Sequence, residues 1–230
     1  MSAPAAMPNW HLHHMNALGK LDALMGPVEA AATDTYGRIA RVFEPPVVDI
    51  LVQAVWQSSV IPDRGHTGFG NEDLVTLWLA PGHPKLEENL GEPLARTVAH
   101  EINHVMRFRS AGGTRTLGDH LVCEGLAGRF VEQLFGNVPE PWECALSPQE
   151  LAQYVSRALE CFDIPAGYRS EEISMHEWMF GSGDLPSWLG YTLGYEIIGA
   201  YLKARPELQA SDLISIPSAD FKPALAGLTS

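Results

Sequence analysis

Apolar and polar positions follow two different periods along this 230-residue chain, and the change between them predicts its architecture. Val47, Val48, Ile50, Leu51, Val52 and Val55 form a run rich in β-branched residues and predict a strand. Leu74 to Ala80 (LVTLWLA) predicts a second, stopped by Pro81-Gly82. Between them, residues 62–72 hold Pro62, Gly65, Gly68 and Gly70 and predict a turn-rich loop. Beyond residue 85 no run predicts a strand. Helical spacing dominates there, over about 92–109, 117–135, 148–162, 171–179 and 188–204. Ser147 with Glu150 makes a capping box for one of these helices, and Ser170 begins another. Ahead of the strands the pattern predicts two helices, about 11–25 and 28–43, the second ended by Pro45-Pro46. His11, His13 and His14 then fall at a solvated helix start. The pattern as a whole predicts an α+β fold, predominantly helical, with a small sheet confined to the first third.

Composition narrows the class. Apolar residues make up 46% and charged residues 19%, and six Trp, six Tyr and eight Phe supply ample core material, which excludes disorder of the whole chain. A length of 230 residues suits one large domain, and the expectation is a single domain over 1–230, with 1–44 as an N-terminal helical segment. Fifteen basic against 28 acidic residues give a net charge of −13, a field that repels phosphate backbones, so nucleic acid is not an expected partner. The longest apolar candidate, Pro46 to Trp56, carries Asp49 and Gln53, and no membrane span is expected. Cys123, Cys144 and Cys161 form an odd, sparse set rather than a disulfide framework. With no secretory signal visible in Met1 to Leu12, a cytoplasmic location is expected.

Candidate chemistry lies in His100-Glu101-Ile102-Asn103-His104, an H-E-x-x-H sequence. Two His four apart on a helix share a face one turn apart and can converge on one Zn²⁺. The intervening Glu101 points to a neighbouring face, where it can take a proton from water at the metal. A chain of this composition contains such a match by chance about 0.03 times, so context must decide. Pro93 suits a first helical turn, and Leu94, Val98, Ile102, Val105 and Met106 follow helical spacing. His100 and His104 lie roughly 150° from the centre of that stripe and so are not simply core histidines; the plain alternative is a pair of surface His. A catalytic zinc site needs a third protein ligand. Glu124 lies roughly 130° from the polar arc of Arg129, Glu132 and Gln133, beside Ala127 and Val131. A carboxylate on an apolar arc needs a partner: a metal, or a Lys or Arg. Gly125 leaves room for close approach of the two helices.

Thr97 to His104, followed by Cys123-Glu124-Gly125-Leu126-Ala127, resembles the zincin metallopeptidases of the Glu-ligand (gluzincin) type. More narrowly, the chain resembles the YjaZ-like predicted zinc-dependent proteases of bacteria (DUF2268). That resemblance extends through Leu185 to Tyr195 and Ala200-Tyr201-Leu202 to Pro206, and covers roughly residues 45–225. It implies a zincin-like domain with one Zn²⁺ held by His100, His104 and Glu124, with Glu101 as general base, and hydrolysis of a peptide or protein substrate. Gly128 stands where some gluzincins carry an acidic residue, so the partner that orients a ligand His must come from elsewhere, with Asp119 a candidate. Tyr191, Tyr195, Ile198 and Leu202 form one helical stripe that reads as core, and His120 reads as a His at a helix start; related enzymes place a Tyr or His as oxyanion donor, which implies that role instead for Tyr191 or Tyr195, with Tyr191 ahead, or for His120, while His176 is expected to be structural. The resemblance also implies that Leu74 to Ala80 is an edge strand that pairs with substrate. The Gly65–Gly70 loop then either borders the cleft or is a plain hairpin-like connection. Two other readings remain open from the residues alone. One is a zinc amidase acting on a small molecule. The other is a non-catalytic metal-stabilised module, against which Glu101 argues, as does Cys123, set about 100° from Glu124 and so not a fourth ligand.

Overall fold

The computed structural model describes residues 7–136, 138–167 and 173–229, and the fold is α+β. The chain divides into two compact units, Met1–Met106 and Arg107–Ser230.

The first unit is a four-stranded sheet with helices on one face. Its strands are β1 (Trp10–Met15), β2 (Val48–Ala54), β3 (His66–Gly70) and β4 (Leu74–Leu79). Their order is β1-β2-β4-β3; β1, β2 and β4 run parallel and β3 pairs antiparallel with β4. Side chains alternate across a sheet. Register therefore puts Val48, Ile50 and Val52 on one face with Val75, Leu77 and Leu79, and all six are buried. Helix α1 (Met25–Ile39) packs on this face with Val28, Ala31, Ala32, Thr35 and Ile39, a helical stripe. Trp10 of β1 meets Tyr36 edge-on at 5.1 Å between ring centroids. The Thr35 hydroxyl donates to the carbonyls of Ala31 and Ala95, each at 2.9 Å, and ties α1 to helix α2 (Glu92–Ala111).

Residues 11–25 are not a helix. Trp10–Met15 is a strand in which His11, His13 and Met15 face out and Trp10 turns in, so the histidines sit on a sheet rather than at a helix start. Its turn uses Gly19 at φ 69° and the Asn16 carboxamide, which accepts from Leu21 N at 2.8 Å. The second helix starts and ends earlier than 28–43, at Met25–Ile39. The 62–72 loop contains strand β3, which forms a hairpin with β4. Consequently Leu74 to Ala80 is not the edge: β4 lies inside the sheet, and β3 is the edge on that side. Glycine is a poor strand former, and β3 becomes legible only through what packs on it.

The second unit is helical: α3 (Leu117–Phe135), α4 (Pro148–Cys161), α5 (Met175–Phe180), α6 (Leu189–Lys203) and α7 (Lys222–Ala226). Two-residue strands β5 (Ala166–Gly167) and β6 (Ile173–Ser174) pair parallel, a small exception to the absence of strands beyond residue 85. The capping box of α4 is present: Glu150 N donates to Ser147 Oγ at 3.3 Å and Ser147 N to Glu150 Oε2 at 2.7 Å. Ser170 lies outside the described residues; α5 is capped by Ser174, whose hydroxyl accepts from Glu177 N. Helices α3 and α6 meet at glycines. A Cβ on Gly125 would fall 2.0 Å from Gly194 O, and one on Gly194 2.2 Å from Leu121 O. The room at Gly125 thus serves α6. Cys123, Cys144 and Cys161 are all free thiols. Among the described residues, no helix is long and apolar enough to cross a membrane.

Candidate metal centre

Helix α2 buries its apolar stripe as spaced: Leu94, Val98, Ile102 and Val105 are fully buried, and Met106 nearly so. Several of its polar residues are buried as well, among them Arg96, Glu101, Asn103, His104 and Arg107. A polar group enclosed in this way costs free energy unless it is hydrogen-bonded, and neither side-chain polar atom of Asn103 has a partner. Arg107 finds three, donating to the carbonyls of Ile214 and Ile216 at 2.9 and 2.7 Å and to Ser218 Oγ at 3.0 Å. His100, half-buried, and His104, buried, stand edge to face with ring centroids 4.6 Å apart, as residues one turn apart on a helix must. Glu101 is 7% exposed and lies against β3, where Gly68 and Gly70 offer no side chain.

Helix α3 carries Glu124. Its start is fixed by Thr116, whose hydroxyl accepts from Asp119 N at 3.2 Å, while Asp119 Oδ2 accepts from the amides of Arg115 and Thr116, both at 3.1 Å. Burial, the largest single influence on Asp119, pushes its pKa up. Hydrogen bonds from Ser218, Arg115 and Thr116 more than offset this and leave it below the usual value. The carboxylate suggested as a partner for a ligand His is thus engaged in capping. At Gly128 a Cβ would fall 2.3 Å from Glu143 Oε1, so an acid does lie beside that glycine, supplied by the segment before α4. Glu143 is buried, and its other oxygen accepts from Glu140 N at 2.7 Å. No spacing rule connects Glu143 to Gly128, and the sequence reading missed it.

His100, His104 and half-buried Glu124 form a group that could hold a metal ion: each offers one ligand atom, and these atoms all lie within 4.8 Å of one another. Two imidazoles and one carboxylate are a donor set of catalytic zinc sites with three protein ligands, so the residues present fit that ion.

The remaining candidates differ in surroundings. Tyr195 is buried; its hydroxyl donates to Glu132 Oε2 at 2.9 Å, and the Arg129 guanidinium lies 3.5 Å from the ring centroid. Burial foremost, with the carboxylates of Glu132 and Glu143, raises its pKa far above the usual phenol value despite Arg129. Tyr191 is half-buried and stacks in a cluster with Phe180 and Trp188, at 5.8 and 5.7 Å between centroids. Trp188 opens α6 at φ 65°, a left-handed conformation costly for a bulky residue and held here by Phe180, Tyr191 and Trp142. His120 Nε2 lies 3.4 Å from Ala166 O, and burial foremost lowers its pKa. His176 is exposed on α5, 5.2 Å from Phe180. A histidine the pattern did not single out is His66 on β3. It is fully buried, neither ring nitrogen has a hydrogen-bond partner, and burial with the Arg64 charge lowers its pKa to about 4.

Residues 28–223 match the model of the family described as "Predicted Zn-dependent protease (DUF2268)". Two proteins of Bacillus subtilis (strain 168) are similar in sequence. The uncharacterized protein YjfC is 26% identical over 149 residues, which is 60% of this chain and 48% of YjfC. The uncharacterized protein YjaZ is 31% identical over 133 residues, 56% of this chain and 49% of YjaZ. The matches thus span about half the length of these curated relatives.

Proposed function

Since the chain belongs to the family of predicted Zn-dependent proteases, we propose that it is a zinc metallopeptidase of the H-E-x-x-H gluzincin type that hydrolyses peptide bonds. The observation that carries this reading is the convergence of His100, His104 and Glu124 within 4.8 Å. These three residues would hold the ion. Zinc in such a set supplies Lewis acidity and lowers the pKa of water to about 7.

The chain's own residues would do the rest. Glu101 takes a proton from the attacking water and passes it to the leaving amine nitrogen as the peptide bond breaks. Glu101 is nearly buried against β3, on the same helix as the two histidines and between them in sequence. Tyr191 donates a hydrogen bond to the oxyanion. The Tyr195 hydroxyl donates to Glu132 Oε2. Tyr191 also lies one helical turn before Gly194, whose carbonyl meets Gly125, the neighbour of Glu124. Strand β3, the sheet edge beyond β4, takes over from β4 as the strand that would pair with an extended peptide.

The reading treats residues 1–230 as one functional domain, supported by helix α2, which runs unbroken through Met106 and Arg107. It assigns the enzyme to a reducing cytoplasm on the strength of three free thiols. The test is elemental analysis of the purified protein and of Glu124→Ala. Close to one zinc per chain is expected in the parent, with a clear loss in the variant; full occupancy in Glu124→Ala would remove Glu124 from the ligand set.

A further inference from the structure

We propose that Gly68 on β3 is a positioning residue for Glu101: the missing side chain at that point of the strand determines where the carboxylate of the base lies. The inference rests on the reading of Glu101 as general base. A Cβ at Gly68 would fall 2.5 Å from Glu101 Cγ, 2.8 Å from Oε1 and 2.9 Å from Cδ. The carboxylate arm is therefore laid directly against the strand. A Cβ at Gly70, two residues on and on the same face, would fall 2.5 Å from the backbone oxygen of Glu101. One glycine meets the side chain of the base and the other meets its main chain.

The two contacts have different consequences. The Gly70 contact sets how near α2 comes to the strand. With that distance set, a methyl at Gly68 is accommodated by turning the flexible Glu101 arm away. Strands disfavour glycine, which adds no packing and weakens the ladder. Its presence opposite buried Leu77 is explained by the carboxylate it admits. A base must lie within hydrogen-bond reach of the proton it removes, and a misplacement of about 1 Å costs on the order of 10²-fold in rate.

The experiment compares the parent with Gly68→Ala, Glu101→Ala and the double variant, for thermal midpoint, bound zinc, and kcat and KM on a peptide that the parent cleaves. Gly68→Ala is expected to keep its zinc and its KM and to lose about 10- to 100-fold in kcat. It is also expected to lower the thermal midpoint in the parent but not in the Glu101→Ala background, where the atoms met by the methyl are gone. The second comparison is independent of activity and of the general effect of an alanine in a strand. Should Gly68→Ala alone fail to fold, a double variant that melts with Glu101→Ala still supports the contact, and one that also fails overturns it. A kcat within about twofold of the parent, or an equal midpoint loss in both backgrounds, overturns the positioning role alone. A parent with no peptidase activity, or Glu101→Gln turning over at the parent rate, overturns the function reading itself and with it the base that Gly68 would position.

Discussion

Glu101 in the first unit and Glu124 in the second each sit beside a glycine contact, but different atoms meet there. Beside Glu101, a Cβ on Gly68 would strike a flexible carboxylate arm. Beside Glu124, a Cβ on Gly125 would strike the carbonyl of Gly194, which is helix backbone and cannot turn aside. Glycine thus performs two tasks. On the strand it leaves space for the carboxylate proposed as general base, so on that proposal added bulk should act on chemistry first. Between α3 and α6 it sets the distance of two helices, so added bulk should act on stability first. The same substitution, glycine to alanine, can therefore sort the two regions by what it damages.

The largest expected effect is on chemistry alone. Glu101→Gln preserves the size of the arm and removes the base, so it should retain zinc while peptide turnover falls by at least 10²–10⁴-fold. Equal rates for parent and variant on a peptide that the parent cleaves would break the comparison at its root. Tyr191→Phe comes next: kcat should fall by roughly 10²–10³ with KM and melting temperature nearly unchanged, the scale of one lost oxyanion donor.

On the stability side, Gly125→Ala should cost about 3 kcal/mol, the upper end for overpacking, because the helices must separate. Urea titration measures it; a cost near zero would mean that α3 and α6 yield easily. His66 gives a pH-dependent effect of similar size. Its pKa of about 4 in the folded chain lies below the 6.5 of an unperturbed imidazole, so between these values the unfolded chain binds the extra proton. Stability from this residue is intact above pH 6.5 and is lost as pH falls toward 4, by about 3 kcal/mol in all. Urea titrations of the parent and His66→Leu at pH 7 and 4.5 should show the variant losing about 2 kcal/mol less; parallel losses would refute it. The smallest effect belongs to Tyr195→Phe, which removes one hydrogen bond to Glu132 and should cost about 1 kcal/mol with kcat preserved. A large fall in kcat there would transfer the oxyanion role from Tyr191.

Much of the helical part was legible because the cues are local. The spacing of Leu94, Val98, Ile102 and Val105 and the capping box of Ser147 and Glu150 lie within a few residues of what they control. The sheet was half legible. β2 and β4 are β-rich strands inside the sheet, and their β-branched runs announce them. The edges β1 and β3 do not announce themselves. β1 reads His-Leu-His-His, which a helix accepts equally well, and its partner Val48 lies far along the chain. β3 is His-Thr-Gly-Phe-Gly, a loop by composition.

The chemistry on offer is legible in the order of residues alone: two histidines one turn apart, a carboxylate between them, and a second carboxylate on an apolar arc of the next helix. Helical periodicity is a property of consecutive residues, so it can be read without knowing what lies opposite. Tertiary structure alone decided which glycines matter and why, that Glu143 lies over Gly128, that Tyr195 is engaged with Glu132, and that His66 is buried without partners. Each of these depends on an atom brought within a few ångströms from a distant part of the chain, and close packing of that kind leaves no periodic trace in the residues that take part in it.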